Sequence, residues 1–327
     1  MQISIVDPAD TVVLSEINEL EAACYRADGR RRPPPSLAET AVEWTRGFPG
    51  SQIVPLQARL DGRLAGCALA DLPVLDNTAN AFVSIAVHPD LRGQGVGAGL
   101  AEGIGTHLRE RGRKMAIGRT LAGGPGAGFA GALGAARQQD SLYSVLELDQ
   151  LDRTALAAGR DTAAEQAAGY SLLRVASPVP AEVLPDVAAM YQVMNDAPHE
   201  SSSFEDEHWP PDRVAQGDRW RADCGMRLYS VLAFRQESGQ VAGMTRIAVR
   251  HQIPMADQLD TSVEPKHRGH RLGYLLKASM LEWLMTAEPA VRSVGTWNAA
   301  GNAHMLAINT ALGYAPAERL RFFERAV

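Results

Sequence analysis

One stretch of this chain occurs twice, and that repetition limits the fold more than any other feature. Residues 83–100 read VSIAVHPDLRGQGVGAGL and residues 259–276 read LDTSVEPKHRGHRLGYLL. Aligned without a gap, they share Val87/Val263, Pro89/Pro265, Arg92/Arg268, Gly93/Gly269, Gly97/Gly273 and Leu100/Leu276. The copies lie just over half a chain apart in 327 residues. Solenoid repeats recur every ~20–50 residues, so this spacing means two copies of a whole domain. Each copy runs from an apolar strand through a Val-x-Pro turn and an Arg-Gly loop into a helix. The first amides of a helix point outward unpaired and suit an anion such as a pyrophosphate. The pattern therefore predicts binding of a phosphorylated cofactor, in one copy or both.

Length and composition agree with two soluble domains. Hydrophobic residues at 46% and charged residues at 21% are ordinary for globular proteins. A net charge of −6 argues against general affinity for nucleic acid or an anionic membrane. No apolar run reaches the length of a membrane span, and no basic-then-apolar leader opens the sequence. Cys24, Cys67 and Cys224 are odd in number and far apart, which fits small buried side chains and a cytoplasmic setting.

The expected order in the first copy is a strand at Ile3–Val6, a helix at Thr11–Arg26, and a proline-broken loop, RADGRRRPPP. A capping-box helix follows from Ser36 through Trp44. Strands at Ile53–Leu60 and Arg63–Ala70 flank the hairpin signal Asp61-Gly62. Next come a strand at Ala81–Val87, a helix at Gly97–Arg111, a strand at Lys114–Thr120, a short helix at Gly123–Leu133 and a strand at Ser141–Leu148. Residues 149–168 lack a strong apolar face and read as a solvated connecting helix. The second copy repeats the order: strand Tyr170–Ala176, helix Ala181–Met194, an acidic loop, then strands at Leu228–Phe234, Gln240–Arg250 and Leu259–Val263. The helix Gly273–Met285, the strand Ser293–Trp297, the helix Ala303–Leu312 and a strand at Arg319–Arg325 complete it. The expected division is residues 1–148, a linker at 149–168, and residues 169–327.

Arg92-Gly93-Gln94-Gly95-Val96-Gly97 resembles the Arg/Gln-x-x-Gly-x-Gly/Ala signature of the GNAT superfamily of acyl-CoA-dependent N-acyltransferases. The second copy, Arg268-Gly269-His270-Arg271-Leu272-Gly273, departs at Arg271, which replaces the middle glycine. The late segment Thr296–Tyr314 resembles the family's final strand and helix, ending in Leu-Gly-aromatic. The resemblance covers nearly the whole chain as a tandem pair, similar in layout to actinobacterial members such as mycothiol synthase and antibiotic-pathway enzymes. It implies an α/β (α+β) fold of two tandem GNAT domains, each a mixed, mainly antiparallel twisted sheet flanked by helices. A competing dinucleotide-binding reading of Gly93-x-Gly95-x-x-Ala98 wants an acid on the next strand. That strand ends Gly118-Arg119-Thr120, and the second copy breaks the fingerprint.

What the resemblance implies about the site can be placed residue by residue. An acyl-CoA, acetyl-CoA by default, would lie along Ile85, Ala86 and Val87 and on the loop from Arg92 through Ala98. In the second copy it would lie along Thr261, Ser262 and Val263 and the loop from Arg268 through Tyr274. Asn298 and Asn302 would orient its arm or the acceptor. The acceptor amine must lose a proton before it attacks, which calls for a carboxylate or histidine. His88 is the candidate in the first copy; Asp257, Asp260 and Glu264 are those in the second. Many family members carry a tyrosine as the acid, and the matching positions here are Ala130 and Asn309, so Asn309 can only hydrogen-bond the sulfur. Each of these polar residues also has a plain reading as a cap, turn or solvated group.

Two loops on the acceptor side differ in charge: Arg26–Pro35 is basic and His199–Pro211 is acidic. The expected protein is an N-acyltransferase for a small-molecule amine, needing no metal, a monomer or homodimer. The division of labour leans toward chemistry in the second copy, with its richer supply of acids. The alternative is a non-catalytic acyl-CoA-binding or sensor protein with degenerate domains.

Overall fold

A computed structural model of the chain describes residues 1–197 and 203–327, so the opening of the acidic loop, 199–202, lies outside the described residues. With one helix added, the elements follow the predicted order: β1 (Gln2–Ile5), α1 (Thr11–Ala27), α2 (Leu37–Arg46), β2 (Ser51–Leu60), β3 (Arg63–Pro73) and β4 (Asn80–Val87). Then come α3 (Val96–Glu110), β5 (Met115–Leu121), α4 (Pro125–Ala132), β6 (Ala136–Glu147), α5 (Arg153–Gln166) and β7 (Tyr170–Ala176). The rest is α6 (Leu184–Gln192), α7 (Pro211–Asp223), β8 (Arg227–Arg235), β9 (Val241–Val249), β10 (Met255–Val263), α8 (Leu272–Ala287), β11 (Ser293–Ala299), α9 (Ala303–Ala311) and β12 (Ala315–Ala326). Local signals explain many of the boundaries. Asp10 accepts from Val12 and Val13 at the start of α1, and Ser36 with Glu39 closes the capping box of α2. Asp61 and Gly62 both take positive φ, as the tight β2–β3 hairpin requires.

The chain forms two compact units whose membership does not follow the expected boundaries. The N-terminal unit holds residues 1–141 and also, far along the sequence, 203–206 and 318–327; the C-terminal unit holds 142–197 and 207–317. In the N-terminal unit the strands run β1-β2-β3-β4-β5-β12. The last strand of the chain closes this sheet, antiparallel to β5 from Leu320 opposite Leu121 to Ala326 opposite Met115. In the C-terminal unit the run is β11-β10-β9-β8-β7, with β6 beside β11. Periodicity marks β6 and β12 as strands, but pairing partners this distant in sequence leave no local trace.

Within the N-terminal unit, α3 covers one sheet face: Leu56, Ala68 and Leu72 pack with Val96, Leu100, Ile104 and Leu108. The other face carries α1 and α2, where Val13, Ile17, Leu20, Cys24 and Trp44 meet Cys67 and Leu69. The C-terminal unit repeats this with α8 on one face and α6 on the other. Two expectations need correction here. Helix α5 is not a solvated connector: Leu156, Ala163 and the following Ala167 are buried in one core with α8. Its alanines hid that, because small side chains carry little hydrophobic signal yet allow close packing: a Cβ on Gly159 would meet the Tyr274 hydroxyl at 2.3 Å. Helix α7 follows the acidic loop where the sequence pattern marks no element, since its inward side chains include Arg213 and Asp218 rather than an apolar stripe. Among the described residues, no helix is long and apolar enough to cross a membrane.

One core residue is out of character. Lys277 of α8 is 1% exposed and, among the described residues, forms no ion pair; its ammonium lies 5.1 Å from the Tyr314 ring centroid. Burial pushes its pKa down from 10.5 to about 7. Between those values the unfolded chain holds the proton and the folded chain does not, so native stability rises with pH. Lys277→Met is therefore expected to stabilise the protein most below pH 7, on the order of 3 kcal/mol. The gain should fade as pH climbs from 7 toward 10.5, which denaturant melts at several pH values would read.

Candidate functional site

In the N-terminal unit the parallel pairing of β4 with β5 is brief, from Asn80–Met115 to Phe82–Ile117. Beyond Phe82 the strands part, and among the described residues no strand pairs with β4 on that side. Its free peptide groups can take an extended amide-bearing chain as an added strand. The C-terminal unit has the same opening: β10 pairs with β11 only from Met255–Ser293 to Gln258–Thr296. A bulge follows in β10 between Gln258 and Thr261, where Asp260 sits.

Each opening leads to a loop and a helix start. After Val87, a turn of 3-10 helix at Pro89–Leu91 brings the chain to Gly93 and Gly95, at φ 78° and 83°. A Cβ on either would meet nothing within 4 Å, so ligand atoms can approach the backbone closely there. Gly95 caps α3 without any side-chain bond, leaving the first amides of a 15-residue helix open. Gly97 has a different reason: its Cβ would press on the Phe129 ring of α4 at 3.3 Å. Gln94 and Ala98 are exposed, Val96 is in the core, and Ile85 and Val87 pack toward α3. Ala86 packs on the α1 face.

In the second copy Gly269 takes φ 88° with equally open space, and Arg271 takes φ 55° where the first copy has Gly95. Arg271 thus keeps the left-handed turn of the replaced glycine, at a cost of about 1 kcal/mol. His270 is exposed beside Tyr170, whereas Leu272 and Tyr274 are core residues whose side chains leave the loop.

Both motif arginines are held by their own unit. Arg92 donates to Asp28 at 2.6 and 3.2 Å and to the Val87 carbonyl at 3.3 Å. Arg268 donates to Asp196 at 3.2 Å and to the Val263 carbonyl at 3.2 Å. The same triangle in both copies ties the strand end to the chain just after a helix, at Asp28 behind α1 and at Asp196 behind α6. These bonds brace the end of each strand.

The proposed polar residues fall as follows. His88 caps its turn, accepting from the Asp90 amide at 3.3 Å, with its other nitrogen 3.2 Å from Arg63. Glu264 occupies the matching turn with no capping bond and is half-buried. Thr261 bonds Thr245 at 2.8 Å, and Ser262 donates to the Met190 carbonyl at 2.9 Å. Asn302 caps α9, and Asn309 donates to Asn298 at 2.7 Å. Asp257 and Asp260 lie half-buried along β10.

The face toward α6 and α7 also holds a closed network. Arg246, fully buried, donates to Asp218 at 2.9 and 2.8 Å, to Tyr191 at 2.9 Å and to Ser230 at 2.9 Å.

The corresponding face of the N-terminal unit holds acids that sequence reasoning missed. Glu21 of α1 has its pKa raised from 4.5 to about 8, chiefly by burial and then by repulsion from Glu43. Hydrogen bonds from Thr40 and Trp44 oppose that shift. Burial raises Asp71 as well. Glu21 is nevertheless only half-buried. Its place on a helix remote from the motif, within an ordinary amphipathic stripe, gave no sequence signal. The basic loop beside it is clasped by Glu318, which accepts from Arg30 at 2.8 Å and from the amides of Arg31 and Arg32.

A splayed pair of parallel strands, an open left-handed glycine loop and an uncapped helix start together suit an extended, amide-bearing ligand with an anionic group. Residues 14–122 match the acetyltransferase (GNAT) family. Over its length the chain is similar to a tandem GNAT protein from the clavulanic acid biosynthesis pathway, with 26% identity and a TM-score of 0.83. That match covers 99% of this chain and 98% of the other. It shares the fold of a GCN5-related N-acetyltransferase from Sphaerobacter thermophilus, at 18% identity and a TM-score of 0.67 over 99% and 95% of the two chains. No curated protein sequence matches. Residues 14–122 thus match a GNAT acetyltransferase domain, and the chain as a whole is similar to a tandem GNAT protein.

Proposed function

We propose that this protein transfers an acyl group from acyl-CoA, by default acetyl-CoA, to the amine of a small molecule, and that the N-terminal unit carries the chemistry. The observation behind this assignment is Glu21: a half-buried residue of the helix face beside β4 whose carboxyl, pushed up to about 8 by burial, serves as a base at mildly alkaline pH. It reverses the lean toward the second copy, whose acceptor face is occupied by the paired Arg246–Asp218 network. The residues fit acyl-CoA: unpaired β4 edge for the pantetheine amides, Gly93–Gly97 and the start of α3 for the pyrophosphate.

Glu21 takes the proton of the ammonium acceptor, directly or through water, freeing the lone pair. The amine nitrogen then bonds to the acyl carbon as the carbon–sulfur bond breaks, with a β4 amide hydrogen-bonding the carbonyl oxygen. Ala130 in α4 offers no acid for the departing thiolate, which leaves a weakly basic thiolate to be protonated from solvent.

A non-catalytic acyl-CoA sensor is the second reading, favoured by the missing tyrosine in both copies. Native mass spectrometry with acetyl-CoA, beside a CoA-release assay over an amine panel, separates the two. We expect an adduct that Gly95→Val removes by blocking the loop and turnover of at least one amine. Binding without turnover of any amine would establish the sensor.

A further inference from the structure

Cross-strand pairing places an aromatic wall beside the acids of the N-terminal unit. Asp71 of β3 lies directly opposite Phe82 of β4, so the two side chains share the face that carries α1 and α2. Phe82 is the last β4 residue paired with β5, at the mouth of the opening. Two residues on, Ser84 points to the same face and is exposed, although it lies within a strand paired along its β3 side; the face is open there.

A remote piece of the sequence completes this wall. Phe204, in the short segment 203–206 that belongs to the N-terminal unit, sets its ring 5.7 Å from Phe82 at an interplanar angle of 60°. The segment is clamped at both ends. The Asn77 side-chain carbonyl accepts from the Glu205 amide at 2.8 Å, while the Asn77 backbone amide donates to the Glu205 carboxylate at 3.1 Å. Asn80 donates to the Ser203 carbonyl at 2.7 Å. Asn77 is 3% exposed and held at φ 53°, a conformation retained only where the surroundings fix it. Both phenyl rings are half-buried, leaving apolar area open to a ligand next to a carboxyl.

Resting on the reading that the N-terminal unit is catalytic, we propose that Phe82 and Phe204 form the surface on which the acceptor's carbon skeleton packs. The enzyme then selects amines with an apolar body about the size of an aromatic ring over polyhydroxylated amines. The carboxyl side of the cleft receives the ammonium group and the phenyl wall receives the body; a sugar-like amine would have to desolvate its hydroxyls against that wall without partners. Phe204 is in this account a specificity-determining residue, brought to the site by the Asn77–Glu205 clamp.

The test is CoA-release kinetics of the full chain at saturating acetyl-CoA, with 2-phenylethylamine and glucosamine as probes. Wild type is expected to favour phenylethylamine at least about 10-fold in kcat/KM. Phe204→Ala should erase that preference through the acceptor KM, leaving the acetyl-CoA KM unchanged, and Phe204→Leu should retain part of it. Thermal melts of both variants report whether they fold. A preference for glucosamine, or a preference untouched by folded Phe204→Ala or Phe204→Leu, overturns the wall and leaves the proposed function standing. Acetyl-CoA binding with turnover of neither probe nor any other amine overturns the catalytic reading, and the wall with it.

Discussion

Replacing Glu21 by Gln is expected to lower kcat/KM for the acceptor by about 10²–10⁴, the usual contribution of a positioned base, with acetyl-CoA binding unchanged. Burial keeps the Glu21 carboxyl protonated up to about pH 8, so wild-type activity should rise with pH and level off above that value. Glu21→Gln should lack this rise. A substituted enzyme with the same rate and pH profile would remove Glu21 from the mechanism. Stability offers an independent readout with opposite sign. From pH 4.5 to about 8 the folded chain holds this proton and the unfolded chain does not, so stability falls over that interval. Glu21→Gln should therefore be the more stable protein at pH 8 and above, a trade of stability for activity seen at functional sites.

The second large effect is structural. Asp218→Ala is expected to destabilise the protein by about 3–5 kcal/mol, because it strands the guanidinium of Arg246 in a site with no solvent. The network is satisfied only as a set: the guanidinium reaches the hydroxyls of Ser230 and Tyr191 as well as both carboxylate oxygens of Asp218. An apolar pair, Arg246→Met with Asp218→Leu, should recover most of the loss, since the buried charge leaves together with its partner. Urea titration of the single and double variants measures both. A loss under about 1 kcal/mol for Asp218→Ala would show that water enters and solvates the arginine.

Much of the architecture was readable from residue order. The capping box at Ser36–Glu39, the Asp61-Gly62 hairpin and the doubled Val-x-Pro/Arg-Gly motif each act over a few residues, and each appears where predicted. The errors share a cause. Helix α5 hid its burial behind alanines, and α7 hid its existence behind an inward Arg and Asp. Arg271 takes a left-handed backbone that its type disfavours, because the loop around it sets the conformation. His88 lies next to the motif, and its ring also caps the turn there, a contact that adjacency in sequence does not show.

What the sequence determined by itself is a two-domain α/β chain with anion-binding loops at two helix starts, because turn chemistry and hydrophobic period are local properties. Only the tertiary structure decided which strands pair and which side chains meet. It sends β12 back to β5 and segment 203–206 to Asn77, and it raises the pKa of Glu21 by surrounding the side chain with protein. Those outcomes depend on burial and on contacts between residues more than a hundred positions apart, and no short window of sequence contains them.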